Sequence, residues 1–282
     1  MSSCFAKHCV NLCYITFKVM KIVLIGAGNV ATHLGRALLD SGHEVVQVWS
    51  RTVLSAHKLA TTLGCDAVTD IGGVRPDADV YVLSVTDDAL PKIIPELCPL
   101  NANALFLHTA GSVSMSCFDG YASSFGVLYP MQTFSKDKRL NVREIPFFIE
   151  ASDERSLKAI LELANSVSDK VYMLDEEGRK WLHLAAVFAC NFSNYCCSVA
   201  EKLLQKRGIP FDVMLPLLDE TTRKLHKLSP VSAQTGPASR HDSGVMEMQT
   251  RLLSDDRDLA EIYRLISKGI IKNSENNKKD DL

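Results

Sequence analysis

The sequence predicts an α/β fold, a doubly wound and mostly parallel sheet with helices on both faces, followed by an all-α domain. Three observations lead to this prediction. Residues 21–52 read as strand, glycine turn, helix and strand. Short apolar runs then recur up to about residue 174, as in parallel strands that are covered on both faces. From Glu176 onward the apolar spacing is helical throughout, which predicts a domain boundary there.

The glycine turn after the first strand predicts a dinucleotide site. Gly26 permits a tight turn, Gly28 lets the backbone approach a pyrophosphate, and Ala31 is small enough for close helix packing. The free N–H groups of Asn29 and Val30 at the start of the next helix would hold the phosphates. Strand, turn and helix together are the pattern of a Rossmann fold. The alternative is a glycine turn that only joins a strand to a helix.

The end of the second strand predicts NADP rather than NAD as the cofactor. An NAD site usually has an acidic residue near this point, which binds the ribose hydroxyls. Here the residues are Ser50, Arg51 and Thr52. Arg51 could pair with a 2′-phosphate and the two hydroxyls could donate to it. The alternative is that Arg51 is an ordinary exposed arginine that opens the next helix.

Polar residues follow three later strands, whose carboxyl ends should face the same cleft. The first of these strands predicts cofactor contacts from Ser84, Val85 and Thr86, the second ends beside the expected nicotinamide at Gly111 and Ser112, and the third predicts a substrate contact from Gln132. Two helix N-caps are also expected, Asp87 for the helix that begins near residue 89 and Ser152 for the helix over 153–167.

A long helix is predicted over 177–207. At about 100° per residue, one polar stripe on it contains Lys180, His183, Asn191, Asn194 and Ser198. Such a stripe either lines a cleft or bonds to other helices, and both alternatives stay open. His183 is the first candidate for a proton donor, because histidine titrates near neutral pH. Asn191 would orient the substrate.

Three further residues are candidates for the chemistry. His108 and His241 are the second and third choices as proton donor, although a single histidine is more often structural. Arg240 could clamp a carboxylate or a phosphate of the substrate. The segment 240–242 is equally consistent with a salt-bridged helix start, because Asp242 would lie at the N-terminus of a helix.

Composition narrows the classes of partner. The chain has 282 residues, of which 46% are hydrophobic and 23% charged, with a net charge of −2. No basic surplus is available to neutralise phosphates, so we expect neither a nucleic acid nor a membrane as a partner. The nine cysteines are scattered without a C-x-x-C pair, which predicts no metal site and a reducing, cytoplasmic location.

Four segments are expected along the chain. Residues 1–19 would be an extension without a role in the fold, because the first strand starts directly after them. Residues 20–174 would form the nucleotide-binding domain and residues 175–271 the helical domain. Residues 272–282 are polar and lack apolar anchors, so a disordered tail is expected there.

The span from residue 21 to about residue 271 resembles a bacterial Rossmann-type, oxidoreductase-like family of unassigned activity, whose second domain carries a domain-of-unknown-function label. The matching segments are 26–31, 108–112, 129–133, 191–192 and, most distinctive, 235–242. The wider superfamily includes pyrroline-5-carboxylate reductase, the 3-hydroxyacid dehydrogenases and the deazaflavin-dependent NADP oxidoreductases. The resemblance implies a helical domain like the C-terminal domain of 6-phosphogluconate dehydrogenase, and a homodimer formed through it. It also implies a substrate-binding turn at Gly111 and Ser112, which match such a turn of the 3-hydroxyacid dehydrogenases.

These features predict an NADP-dependent oxidoreductase that moves a hydride to or from a small metabolite of the carbonyl, imine or hydroxyacid class. The alternative is a non-catalytic protein that senses NADP. The 3-hydroxyacid dehydrogenases have a catalytic lysine four residues before an asparagine on the first long helix. Val187 stands four residues before Asn191 here, which disfavours hydroxyacid chemistry and keeps the sensor alternative open.

Overall fold

The computed structural model describes residues 18–135 and 140–280, with side chains to residue 276. Residues 1–17, which make up most of the expected extension, lie outside this part of the chain. The chain divides into two compact units, with the division between Asn194 and Tyr195. This division falls 20 residues after the predicted boundary, because the first helix of the helical region packs on the sheet of the first unit and belongs with it.

The first unit is built on an eight-stranded sheet with the strand order β3-β2-β1-β4-β5-β6-β7-β8. The strands are β1 (Lys21–Ile25), β2 (Glu44–Trp49), β3 (Asp66–Val68), β4 (Val80–Leu83), β5 (Leu105–His108), β6 (Ser124–Pro130), β7 (Phe147–Ala151) and β8 (Val171–Met173). All neighbours are parallel except β6 and β7, which are antiparallel. The predicted doubly wound, mostly parallel sheet is therefore confirmed.

Helices cover both faces of this sheet. They are α1 (Asn29–Asp40), α2 (Val53–Leu63), α3 (Leu90–Leu97), α4 (Glu154–Val167) and α5 (Glu176–Ala186). Successive side chains of a strand point to opposite faces. Ile22 and Leu24 of β1 accordingly pack with α1, α2 and α4, whereas Val23 and Ile25 pack with α3. Both faces are apolar, and this explains why the strands read as continuous hydrophobic runs.

The sequence predicts Ser152 as the N-cap of α4, but the N-cap in the structure is Asp153. The Asp153 carboxylate accepts the backbone N–H of Ser156 at 2.9 Å. The hydroxyl of Ser152 donates to the Asp153 carboxylate at 2.9 Å and accepts the N–H of Phe125 at 3.2 Å. The Ser152 hydroxyl therefore bonds to β6, and the Asp153 carboxylate caps the helix.

A π-helical turn, Val187–Phe192, follows α5 and leads into α6 (Ser193–Gln205). The single regular helix predicted here is thus interrupted. A π turn contains an extra residue, which shifts the following side chains by roughly 100° around the axis. Lys180 and His183 keep their common face, but Asn191 and the residues after it lose the phase on which the predicted stripe depended.

The second unit continues with α7 (Leu215–Leu225), α8 (Ser243–Leu252) and α9 (Arg257–Asp280). Helix α9 corrects the prediction of a disordered tail for residues 272–280. No glycine or proline follows Gly269, so nothing in the local sequence ends the helix before Asp280. None of the helices in the described ranges is both long and apolar enough to cross a membrane.

Candidate functional site

The glycine turn between β1 and α1 is built around the end of β4. Gly26 has a φ of +115°, and a Cβ atom there would lie 2.3 Å from the carbonyl oxygen of Ser84. Only glycine fits both constraints. Gly28 is exposed and precedes α1 without a side-chain cap. Close packing of α1 comes from buried Ala31 and from Gly35, where a Cβ would lie 2.8 Å from Leu24.

The start of α1 suits an anion. Its first turn has no acidic side chain that would repel an anion. In the described part of the chain no side chain caps this turn, so the N–H groups of Asn29 and Val30 have no capping group. The Asn29 side chain itself donates to the carbonyl of Phe134 at 2.7 Å. Nε2 of His33 lies 2.9 Å from the carbonyl of Ser135. The Asn29 side chain thus binds the loop after β6, and the predicted binding of phosphate would use the backbone N–H of Asn29.

The residues expected to select NADP lie together after β2. Thr52 is the N-cap of α2, and its side chain makes no capping hydrogen bond. Arg51 is exposed, and within the described ranges no ion pair involves it. Ser50 is half-buried beside them. Two hydroxyls and a guanidinium at a helix start are groups that bind a phosphate monoester.

The carboxyl ends of β4 and β5 are joined by hydrogen bonds. The hydroxyl of Thr109 donates to Ser84 at 3.2 Å, and the hydroxyl of Ser112 donates to the Asp87 carboxylate at 2.5 Å. Asp87 is therefore not the predicted helix cap, because its carboxylate bonds to Ser112 and the short 3₁₀ turn begins after Thr86. Val85 and Thr86 lie just beyond the end of β4, which the structure places at Leu83.

His183 of α5 meets the end of β6 through Tyr129. Nδ1 of His183 lies 3.1 Å from the Tyr129 hydroxyl, and the rings are nearly edge to face. A Cβ at Gly111 would lie 2.8 Å from Nδ1 of His183 and 2.9 Å from Cζ of Tyr129. The missing side chain at Gly111 thus lets the histidine reach the tyrosine. Sequence reasoning missed Tyr129, although it begins one of the segments that carried the resemblance.

The hydrogen bond assigns a tautomer to His183. Burial raises the pKa of Tyr129, so its phenol is protonated at neutral pH. That single proton can go to Nδ1 of His183 or to the sulfur of Met131, which lies 3.6 Å away. Imidazole nitrogen is the stronger acceptor. We therefore assign the proton of neutral His183 to Nε2 from the hydrogen-bond pattern.

His108, the second candidate, lies inside the first unit. It is fully buried, stacks on Phe118 with 5.9 Å between ring centroids, and its Nδ1 accepts the N–H of Ala110 at 3.2 Å. Burial, with a smaller effect of the Arg179 charge, lowers the pKa of His108 to about 4. Its environment is that of a neutral structural histidine, and the predicted proton-donor role is not supported.

Helix α5 contacts the other elements of the first unit along one face. The hydroxyl of Ser114 donates to Glu176, which also pairs with Lys180. Arg179 is buried and pairs with Glu150 of β7. Arg179 was missed from the sequence, because a lone arginine on a predicted helix gives no sign that it is buried. Lys180 of the predicted stripe is an exposed ion-pair partner.

In the described part of the chain, neither Gln132 nor Asn191 forms a hydrogen bond with the Tyr129–His183 pair. Gln132 is exposed, and its side-chain oxygen accepts the N–H of Thr133 at 2.8 Å. Asn191 is exposed in the π turn. Arg240 and His241 belong to the second unit, where His241 has a φ of 57° and Asp242 caps α8. Segment 240–242 is thus the start of a helix, and no ion pair of the described residues involves it.

A doubly wound sheet with a glycine turn at the first helix defines a nucleotide-dependent class of protein, and comparison with known proteins narrows it. Residues 21–110 match the family described as NADP oxidoreductase, coenzyme F420-dependent. Residues 145–270 match a domain of unknown function, DUF2520. A provisionally named NADP oxidoreductase from Bacteroides fragilis is 46% identical, with 90% of this chain and 98% of that chain covered and a TM-score of 0.87. The chain belongs to the family of this oxidoreductase, as the sequence predicted.

More distant structures share the fold. A protein from Thermotoga maritima is 22% identical, with a TM-score of 0.76 over 90% of this chain and 99% of that one. An imine reductase from Myxococcus stipitatus, in complex with NADP+, is 16% identical, with a TM-score of 0.61 over 92% and 94% of the two chains. No curated protein matches the chain.

Proposed function

We propose that this protein is an NADP-dependent oxidoreductase that transfers a hydride to or from a small metabolite of the carbonyl, imine or hydroxyacid class. One observation carries the proposal: the Tyr129–His183 pair lies beside Gly111, at the carboxyl ends of β5 and β6. In a doubly wound sheet this edge is where ligands bind. The site thus combines a nucleotide-binding turn with a group that can donate a proton.

The residues present fit NADP. The turn at Gly26 and Gly28, with the N–H groups at the start of α1, would hold the pyrophosphate. The cluster at residues 50–52 would hold the 2′-phosphate, and residues 84–86 would contact the cofactor at the end of β4. When bound, NADPH supplies the hydride.

His183 is proposed as the proton donor in the direction of reduction. Nε2–H would donate its proton to the oxygen or nitrogen that receives the negative charge while the Tyr129 hydroxyl proton moves to Nδ1, and both protons would move back in the reverse direction. Tyr129 donates to Nδ1 and keeps the proton on Nε2. Ser112, held by Asp87, is proposed as a substrate contact with Gly111.

We also propose a cytoplasmic homodimer formed through the helical domain. The six cysteines that the structure describes are all free thiols, as in a reducing compartment. Large apolar side chains are exposed on the second unit, and such a surface is typical of one that another chain covers. Examples are Leu217, Leu252 and Leu265, which are 62%, 67% and 61% exposed.

The activity is tested by a panel of carbonyl, imine and 3-hydroxyacid compounds, followed at the nicotinamide absorbance. Once a substrate is found, we expect His183→Ala to lower kcat by about 100-fold or more, because a positioned general acid contributes at least that much. NADPH affinity should stay the same. Tight NADPH binding without turnover across the panel would contradict the proposal and favour a sensor. An unchanged kcat in His183→Ala would contradict the role proposed for His183.

A further inference from the structure

Arg179 is a buried arginine on a helix that otherwise exposes large side chains. It is only 1% exposed, whereas Trp181 and Leu184 on the same helix are 66% and 46% exposed. Burying a guanidinium carries a desolvation cost that an apolar side chain would avoid, so stability alone does not account for it. What Arg179 offers instead is a fork of donors with fixed directions.

The guanidinium of Arg179 joins α5 to two other segments. Nη1 pairs with the carboxylate of Glu150 on β7, whose side chain is 17% exposed. Nη2 donates to the backbone carbonyl of Val113 at 2.7 Å. One buried side chain thus fixes the helix to the sheet and to the loop after β5.

Both partners of Arg179 are neighbours of the groups that contact His183. Val113 lies two residues after Gly111, whose missing side chain makes room for the histidine. Glu150 is paired with Val127, two residues before Tyr129, so Glu150 and Tyr129 share a face of the sheet. Arg179 itself precedes His183 by four residues, about one helical turn, and lies on the same side of α5.

We propose that Arg179 is the positioning residue for His183. Through Glu150 and the Val113 carbonyl it sets the rotation and depth of α5, so that Nδ1 of His183 meets the Tyr129 hydroxyl. The inference rests on the proposed function only for the importance of His183; the structural relation between Arg179 and the Tyr129–His183 hydrogen bond can be measured without a substrate.

The Glu176–Ser114 contact does not replace this anchor. It lies in the first turn of α5, seven residues before His183, and the Glu176 carboxylate is shared with exposed Lys180. A contact at one end leaves the later turns free to rotate or lift. Arg179 lies between that contact and His183, with two bonds in different directions.

The experiment uses the full chain labelled with ¹⁵N-histidine, with the His183 resonances assigned from His183→Gln. Tyr129→Phe provides the spectrum of His183 without its hydrogen bond. The double variant Arg179→Met/Glu150→Gln removes both buried charges, so that neither is left unpaired. We expect its Nδ1 and Nε2 shifts to move to those of Tyr129→Phe. Arg143→Met is the matched control, because Arg143 forms an exposed ion pair with Asp169 in the same unit, and it should leave the spectrum unchanged.

A second variant tests the inference if the double variant does not fold. Arg179→Lys keeps the positive charge opposite Glu150 but has no second, fixed donor for Val113. We expect it to fold and still to lose at least part of the His183 hydrogen-bond signature. Wild-type His183 shifts in either variant, if that variant is folded, would overturn the inference.

Turnover separates this inference from the proposed function. If both hold, kcat falls at least about tenfold in the folded variants, since misplacing a catalytic group by an ångström can have that effect or a larger one. The KM for NADPH stays within about twofold, because the nucleotide groups are untouched. A shifted His183 spectrum with normal kcat means that His183 is not the proton donor, and the positioning inference survives. A lower kcat with an unshifted spectrum refutes the positioning inference alone.

Discussion

At the scale of single residues, two glycines decide where the polar groups of the site can lie. Gly26 lets the first turn pass against the Ser84 carbonyl, and Gly111 lets His183 approach Tyr129. In both places a methyl group would occupy space already taken by another atom. Both glycines therefore act through the absence of a side chain. The turn after β1 depends on Gly26, and the Tyr129–His183 contact depends on Gly111.

Arg51 is predicted to determine the preference for NADPH over NADH. We expect Arg51→Ala to weaken NADPH binding about tenfold, equivalent to roughly 1.4 kcal/mol, because one charge-assisted contact to the 2′-phosphate is lost. NADH binding should not change, since NADH lacks that phosphate. Fluorescence titration of both nucleotides measures the ratio. Arg75→Ala is the control, because the Arg75 side chain is 42% exposed but pairs with Asp77 at 2.9 Å. An NADPH to NADH ratio that Arg51→Ala leaves untouched would contradict the assignment.

The residues that the sequence could reveal are those with a local signal. The glycines follow a strand, and His183 is a titratable group on an apolar helix. Tyr129 and Arg179 had no such signal, since their roles arise from contacts 54 and 29 residues away along the chain. Only the folded arrangement of β6, β7 and α5 brings them together.

At the scale of elements, the N-terminus of α4 is held by the Asp153 carboxylate. We expect Asp153→Ala to lower the free energy of unfolding by about 1 kcal/mol, the usual effect of removing such a cap. Urea denaturation at neutral pH measures it. Asp153→Asn is the matched variant, because an asparagine side chain also accepts the N–H of Ser156.

The same cap should depend on pH. Hydrogen bonds from the Ser156 hydroxyl and backbone, and from Ser152, lower the pKa of Asp153 to about 2. A lowered carboxyl pKa stabilises the fold above the unfolded value of about 4, and this contribution is lost as the pH falls towards about 2. The stability difference between wild type and Asp153→Asn should therefore shrink from about pH 7 to about pH 3. An equal difference at both values would refute the charge effect.

Some helices and strands can be predicted from the local sequence, and others cannot. The central strands β1, β4 and β5 could be predicted, because each is a short apolar run that is buried on both faces of the sheet. The π turn at Val187–Phe192 could not, because no glycine or proline marks it.

At the scale of the whole molecule, the apolar surface of the second unit predicts a dimer. Sedimentation velocity should show twice the chain mass for the wild type. Leu252→Asp/Leu265→Asp should weaken association by about 100-fold or more, because two desolvated apolar contacts become charged. Leu54→Asp is the control, since Leu54 is 80% exposed but lies on α2 of the first unit. A monomeric wild type, or a double variant that stays dimeric, would contradict the proposal.

His183 is proposed to serve a nicotinamide that binds at the carboxyl ends of the parallel strands. The most direct measurement is a crystal structure of the full-length protein with NADP+. We predict that the 2′-phosphate contacts Arg51 and that nicotinamide C4 faces Nε2 of His183, with space for one small substrate group between them. A nicotinamide whose C4 faces away from His183, with another proton donor beside it, would contradict the account.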